Sequence, residues 1–239
     1  MAWPCRFALP WYLGLYSSLF QNPALSEDRS IMNNLAYTSQ DPADVGPKIE
    51  ERIREEIGSA APLPYTVEQG DAATVSAGSF LKDIGKSLIG GSTDVLFYLN
   101  FEFPGQRPAT LQVAVDRQGV GSHAGLCIYT ATIAKPVAGE ASLEDPKFFG
   151  KSKFAGDAAT AGKLNASGDV IKQANTLARL EGESGGISLK IKRCCRVVPD
   201  GEGSSLIVAT LPRPTKMGMS AAVDVQDFFK LAQLVENCL

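Results

Sequence analysis

One histidine and five cysteines hold most of the side-chain chemistry this chain could perform near neutral pH. His123 stands in Gly119-Val120-Gly121-Ser122-His123-Ala124-Gly125, a glycine-rich run that reads as a turn between two strands. Imidazole titrates close to neutrality, so histidine-based general-base catalysis would have to pass through this residue. Cys127, four positions on, is the nearest nucleophile it could activate, and a distant Ser or Asp is the alternative. Spacing alone brings none of these pairs together, and the reading leans away from an enzyme.

Cys5, Cys127, Cys194, Cys195 and Cys238 form no CxxC pair and no ligand spacing with His123, so neither a metal centre nor a cofactor is expected. Cys194 and Cys195 are adjacent, which on a strand points them to opposite faces. The cysteines read as buried small hydrophobes in a reducing compartment. Lys192, Arg193 and Arg196 make Cys194 the candidate for a depressed thiol pKa.

A basic stripe offers binding chemistry instead. Lys190, Lys192 and Arg196 alternate along a strand and share one sheet face, with Ile187, Leu189 and Ile191 opposite. Lys151 and Lys153 lie in a basic-aromatic piece with Phe148, Phe149 and Phe154. Such a patch suits a protein partner or an anionic ligand. Lysines on exposed strands also serve to discourage edge pairing.

Other motifs are ordinary. Gly85-Lys86-Ser87 lacks the glycine a phosphate loop needs five positions earlier, where Phe80 stands. The pairs Glu50-Glu51, Glu55-Glu56 and Glu144-Asp145 read as surface. Asn165-Ala166-Ser167 fits a glycosylation acceptor, which matters only in an exported eukaryotic chain.

The elements that must position these groups are legible in the patterning. Gly46-Pro47 opens a helix that Gly58 stops, with Ile49, Ile53 and Ile57 on one stripe. Tyr65–Val67 reads as a short strand and Ser79–Ile89 as a short helix. Val95–Phe103 alternates with period two, Thr110–Asp116 does the same, and Leu126–Ala134 is apolar on both faces; short connections make these an antiparallel meander. Residues 135–155 read as a connection. Asp157 or Gly156 can cap a short helix to Leu164, and a longer one runs from Asp169, with Val170, Ile171, Ala174, Leu177 and Ala178 on one side, until Gly182 and Gly185-Gly186 end it. Strands at Ile187–Val197 and Leu206–Leu211 flank Pro199-Asp200-Gly201 as a hairpin, and a last helix starts near Ser220.

Composition sets the outer limits. The chain carries 23 Lys and Arg against 26 Asp and Glu, a formal net charge of −3, with 44% hydrophobic and 21% charged residues. These values exclude collagen, coiled coil, a fully disordered chain and a multi-span membrane protein. The acidic balance argues against a nucleic-acid partner. Residues 1–31 differ from the rest: both tryptophans and several other aromatics stand there around Arg6. The segment reads as an extension upstream of a start at Met32, as an export signal, or as a membrane or partner anchor.

The expected fold is α+β: a largely antiparallel sheet, meander plus hairpin, with helices packed on one face. Residues 1–31 are set apart as a non-core leader. Residues 32–239 form a single domain, with a subdivision near 136–150 left open. The expected function is a non-catalytic binding or assembly module that uses the basic sheet face, in the cytoplasm, with a homo-oligomer among its assemblies. One alternative is a small hydrolase or transferase with His123 as general base. Another is an exported or envelope-associated protein directed, or held at the membrane, by its N-terminal segment.

Overall fold

The computed structural model describes residues 36–69, 95–103, 105, 107–118, 120–144, 152–178, 194–210, 213–214, 221–222 and 225–239. Strand β1 (Ala36–Tyr37) leads into helix α1 (Pro42–Ile57) and strand β2 (Tyr65–Glu68). Strands β3 (Val95–Phe103), β4 (Ala109–Gln118) and β5 (Gly121–Ile133) follow, then the pair β6 (Ala141–Glu144) and β7 (Lys153–Gly156). Helices α2 (Ala158–Ala166) and α3 (Gly168–Ala178) precede the hairpin β8 (Cys195–Asp200) and β9 (Gly203–Thr210). A minimal ladder of β10 (Arg213–Pro214) and β11 (Ala221–Ala222) comes before the last helix, α4 (Val225–Cys238).

Nine of the described strands form one antiparallel sheet, in the order β2-β3-β4-β5-β9-β8-β6-β7, with β1 also paired to β5. The fold is therefore α+β. The length of β5 explains how one strand serves three neighbours. Ser122 and His123 pair with β1, Cys127 to Ile133 pair with β9 on that same edge, and β4 runs along the other edge.

Register fixes the two faces. Phe101, Leu111 and Tyr129 are cross-strand partners in turn, so they share a face with Phe97, Leu99, Val113 and Ile133, all fully buried. The helices cover this face. Phe228 of α4 stacks on Tyr129 with ring centroids 5.0 Å apart, and Tyr65 packs on Phe101 at 5.2 Å while closing against Gly46 of α1. Each buried aromatic ring removes enough apolar surface from water to dominate its neighbourhood.

Four boundaries differ from the sequence reading. Helix α1 begins at Pro42 rather than Pro47, because Asp41 caps it by accepting the Ala43 N–H at 2.9 Å. Val45 adds a turn to the Ile49–Ile53 stripe, and that burial offsets the hydrogen bond Pro47 cannot make. Strand β5 begins at Gly121, so the glycine-rich run is mostly strand. Gly121 is needed where the Tyr37 carbonyl crosses it, since a Cβ there would come closer than 3.0 Å. The stretch 135–155 carries β6 and β7. Helix α4 starts at Val225, where Glu56 accepts the Val225 N–H at 3.1 Å, and not near Ser220. The expected helix at Ser79–Ile89, the strand portion Ile187–Arg193 and residues 1–31 lie outside the described residues.

Asp157 caps α2 by accepting both the N–H and the Oγ1–H of Thr160, at 2.9 and 2.8 Å. These bonds, the backbone one first, hold its carboxyl below the ordinary value of 3.8. A depressed pKa stabilises the fold at every pH above the unfolded value, and the contribution is lost as pH falls through the lower folded value. Asp157→Ala should therefore lower Tm at neutral pH. Thermal melts of both proteins should converge as the pH is taken below about 3.8.

Candidate functional site

The residues singled out in the sequence are dispersed. Position 123 lies within β5, with Asp116 as its partner on β4 and Ala36 on β1. Val113 pairs with Cys127 and Val115 with Ala124, so two β5 residues face Ala114 and the strand bulges. Cys127 consequently belongs to the helix-covered face with Tyr129, fully buried. The nearest carboxylate to position 123 along the ladder is that of Asp116, itself 7% exposed and packed against Gly125.

Of the basic residues, Lys151, Lys190 and Lys192 lie outside the described residues. Lys153 is exposed on β7 and Arg196 is half-buried on β8, both on the face away from the helices. Ser142 stands opposite Arg196 and Glu144 opposite Lys153, so a carboxylate sits beside one of the two cations. Cys194 and Cys195 are both buried. Burial, with the neighbouring Cys194 adding to it, pushes the Cys195 thiol well above its ordinary pKa and keeps it protonated at neutral pH. No three of His, Cys, Asp and Glu gather as a metal site among the described residues. No helix among them is long and apolar enough to cross a membrane.

A further candidate among the described residues is a cleft that the sequence reading did not contain. It has a volume of about 530 Å³ and lies where the β3–β4 connection and the end of β5 meet the last turns of α4. That size suits a small organic molecule. Its apolar wall is Phe103, the last residue of β3, set edge-on to Phe229 with centroids 5.5 Å apart and planes at 78°. Pro108, Ala134 and Thr132 continue the wall, and Gln233 and Glu236 reach in from α4. Positions 229, 233 and 236 fall on one helix stripe, which is why a single helix can present all three.

Arg107 and Glu236 give the cleft its charge. Arg107 Nη2 forms an ion pair with Glu236 Oε2, and the two side chains are only 18% and 23% exposed. The other oxygen, Glu236 Oε1, accepts the Ala134 N–H at 3.3 Å. Arg107 Nη1 is shielded from water and has no hydrogen-bond partner among the described residues. A buried donor left unmet costs about 1–3 kcal/mol. The signal in the sequence was slight: two polar residues, Gln233 and Glu236, extend the stripe that Phe229 begins, and a lone arginine stands between Pro104 and Pro108.

The chain matches no protein-family model, and comparison with curated proteins and with solved structures yields no match.

Proposed function

We propose that this chain is a non-catalytic binding module and that a small organic ligand occupies the cleft between Arg107, Phe229 and Glu236. The observation that supports this reading is a partly buried Arg107–Glu236 ion pair beside an aromatic wall, in a cleft of ligand size. Binding to the folded state raises stability by mass action, so a ligand of the right class should raise Tm in a saturable way. Gln233 is exposed at the mouth, and Gln233→Trp should fill the cleft and abolish the shift without unfolding the chain. A broad panel of small aromatic acids, amides and amines that leaves Tm unchanged would overturn the reading.

A second reading keeps the basic sheet face as the docking surface for an acidic protein segment. What favours it is that Lys153 and Arg196 share one face. An oligoglutamate probe should then bind the native chain and bind more weakly when Lys153 and Arg196, or Lys190 and Lys192, are reversed to Glu. Equal binding by native and reversed chains would remove it. A reducing, cytoplasmic setting goes with both readings, supported by the burial of Cys127, Cys194 and Cys195, none of them in a disulfide among the described residues.

A further inference from the structure

The sheet ends in β2 on one side and β7 on the other, and the chain treats these two edges differently. On β7 the N–H and the carbonyl of Phe154 are both taken by the Asn165 amide of α2, at 2.8 Å each. That edge is closed to a further strand, and exposed Lys153 stands beside it. On β2 no such cover exists among the described residues. The Glu102 N–H donates to the Pro64 carbonyl, so Pro64, Thr66 and Glu68 turn their backbone groups towards β3. Tyr65 and Val67 therefore turn theirs outward. Thr66, Val67 and Glu68 are exposed, and Val67 is 43% exposed although its register partner is the fully buried Leu99.

We propose that this edge pairs with the same edge of a second copy, β2 antiparallel to β2 about a two-fold axis at Thr66. A row of outward backbone groups calls for an extended backbone as its partner, and a two-fold axis pairs the row with itself. The register follows from what the neighbouring groups allow. Leu63 is the next outward-facing residue, but Glu50 of α1 already accepts its N–H at 2.7 Å, so a pairing that needs it is blocked. An axis at Val67 would need Gln69, beyond the end of β2. An axis at Thr66 uses Tyr65 and Val67 alone: Tyr65 of each copy exchanges N–H and carbonyl bonds with Val67 of the other, four bonds between described strand residues. Side chains agree with this register. Val67 gains the Tyr65 ring of the second copy, and Thr66 meets Thr66, both favourable pairs across a sheet. Charges agree as well. Glu68 falls opposite Pro64, and the two Glu68 carboxylates stay about 13 Å apart along the strands, four residues of roughly 3.3 Å each.

The test is sedimentation velocity of the full chain over a concentration series, with a thermal melt of every variant as the folding control. The native chain should show a monomer–dimer equilibrium that moves with concentration. Val67→Pro removes an outward N–H and leaves the β3 ladder whole, so it should fold and dimerise about tenfold more weakly or worse, the scale of the two hydrogen bonds lost per dimer. Thr66 is exposed, so substitutions there spare the monomer and carry the test alone should Val67→Pro fail to fold. Thr66→Lys and Thr66→Glu each bring like charges together at the axis and should run as monomers. An equimolar mixture of those two variants should recover the dimer. A native chain that stays monomeric at every concentration would overturn the proposal. A native dimer that all the variants leave unchanged would overturn it too, by placing the interface elsewhere. A mixture that fails to recover what the single variants lose would overturn the two-fold pairing and give this edge to a different strand.

Discussion

Phe228→Ala should cost about 3–5 kcal/mol of folding stability. That is a large share of the roughly 5–15 kcal/mol expected for a natural domain. Phe228 is fully buried, stacks on Tyr129 at 5.0 Å with planes 27° apart, and tilts against Phe229 at 5.9 Å. Tyr129 sits in the strand that three others pair with, so truncation opens a cavity at the junction of sheet and helix layer. Collapse cannot fill it, because β5 is held along both edges. Urea denaturation should show a lower midpoint with an unchanged slope. A midpoint within experimental error of the native chain would mean that α4 does not anchor the helix layer.

The second large effect falls on Gly156. Its φ is +123°, and a Cβ there would come closer than 3.0 Å to the Glu140 carbonyl oxygen. Such a backbone conformation alone costs a non-glycine residue about 1–3 kcal/mol. The clash adds to this, since the obstacle is backbone of the paired strand and not a side chain that can swing away. Distortion would spread, because Asn165 of α2 holds the N–H and the carbonyl of Phe154 at 2.8 Å each. Gly156→Ala should therefore lower Tm. A control of opposite sign lies within the next helix. Gly162 has open space where a Cβ would go, so Gly162→Ala should gain up to about 1 kcal/mol from helix propensity. Thermal melts of the two variants should move in opposite directions. A shift of the same sign in both would refute the account of Gly156.

How far the fold was legible depended on whether a signal was local. Strand β3 was read to the residue, because its alternation is complete over Val95–Phe103 and nothing tertiary contradicts it. Helix α3 was found one residue from its start, and of the two caps the sequence offered for α2, Asp157 and Gly156, the structure uses Asp157. Two of the misplaced boundaries, those of α1 and β5, share a cause: glycine and proline were taken as breaks when the structure uses them inside elements. Gly121 and Gly125 permit close approach of a neighbouring strand and of the Asp116 carboxylate, and Pro47 rides in a helix capped six residues earlier. Strands β6 and β7 were missed because they are four residues long and gain their hydrogen bonds from each other and from β8, far along the chain. The cleft was illegible for a related reason. Arg107 and Glu236 are separated by 129 positions, and no pattern in either neighbourhood refers to the other.

The order of strands in the sheet also sets an order in time. The β6–β7 pair is synthesised before β8 and β9, yet it reaches the sheet only through β8, at Ala141–Val197 and Ser142–Arg196. Until the last hairpin emerges from the ribosome, the meander ends in an open edge at Cys127–Ile133, and the small pair waits without a neighbour. Contacts that close over such sequence separations slow folding, and an open strand edge invites other nascent chains to pair with it. The β8–β9 hairpin joins the two parts, so the sheet completes only once residues 195–210 have been made. A chain released early would leave an unpaired edge rather than a smaller version of the same protein.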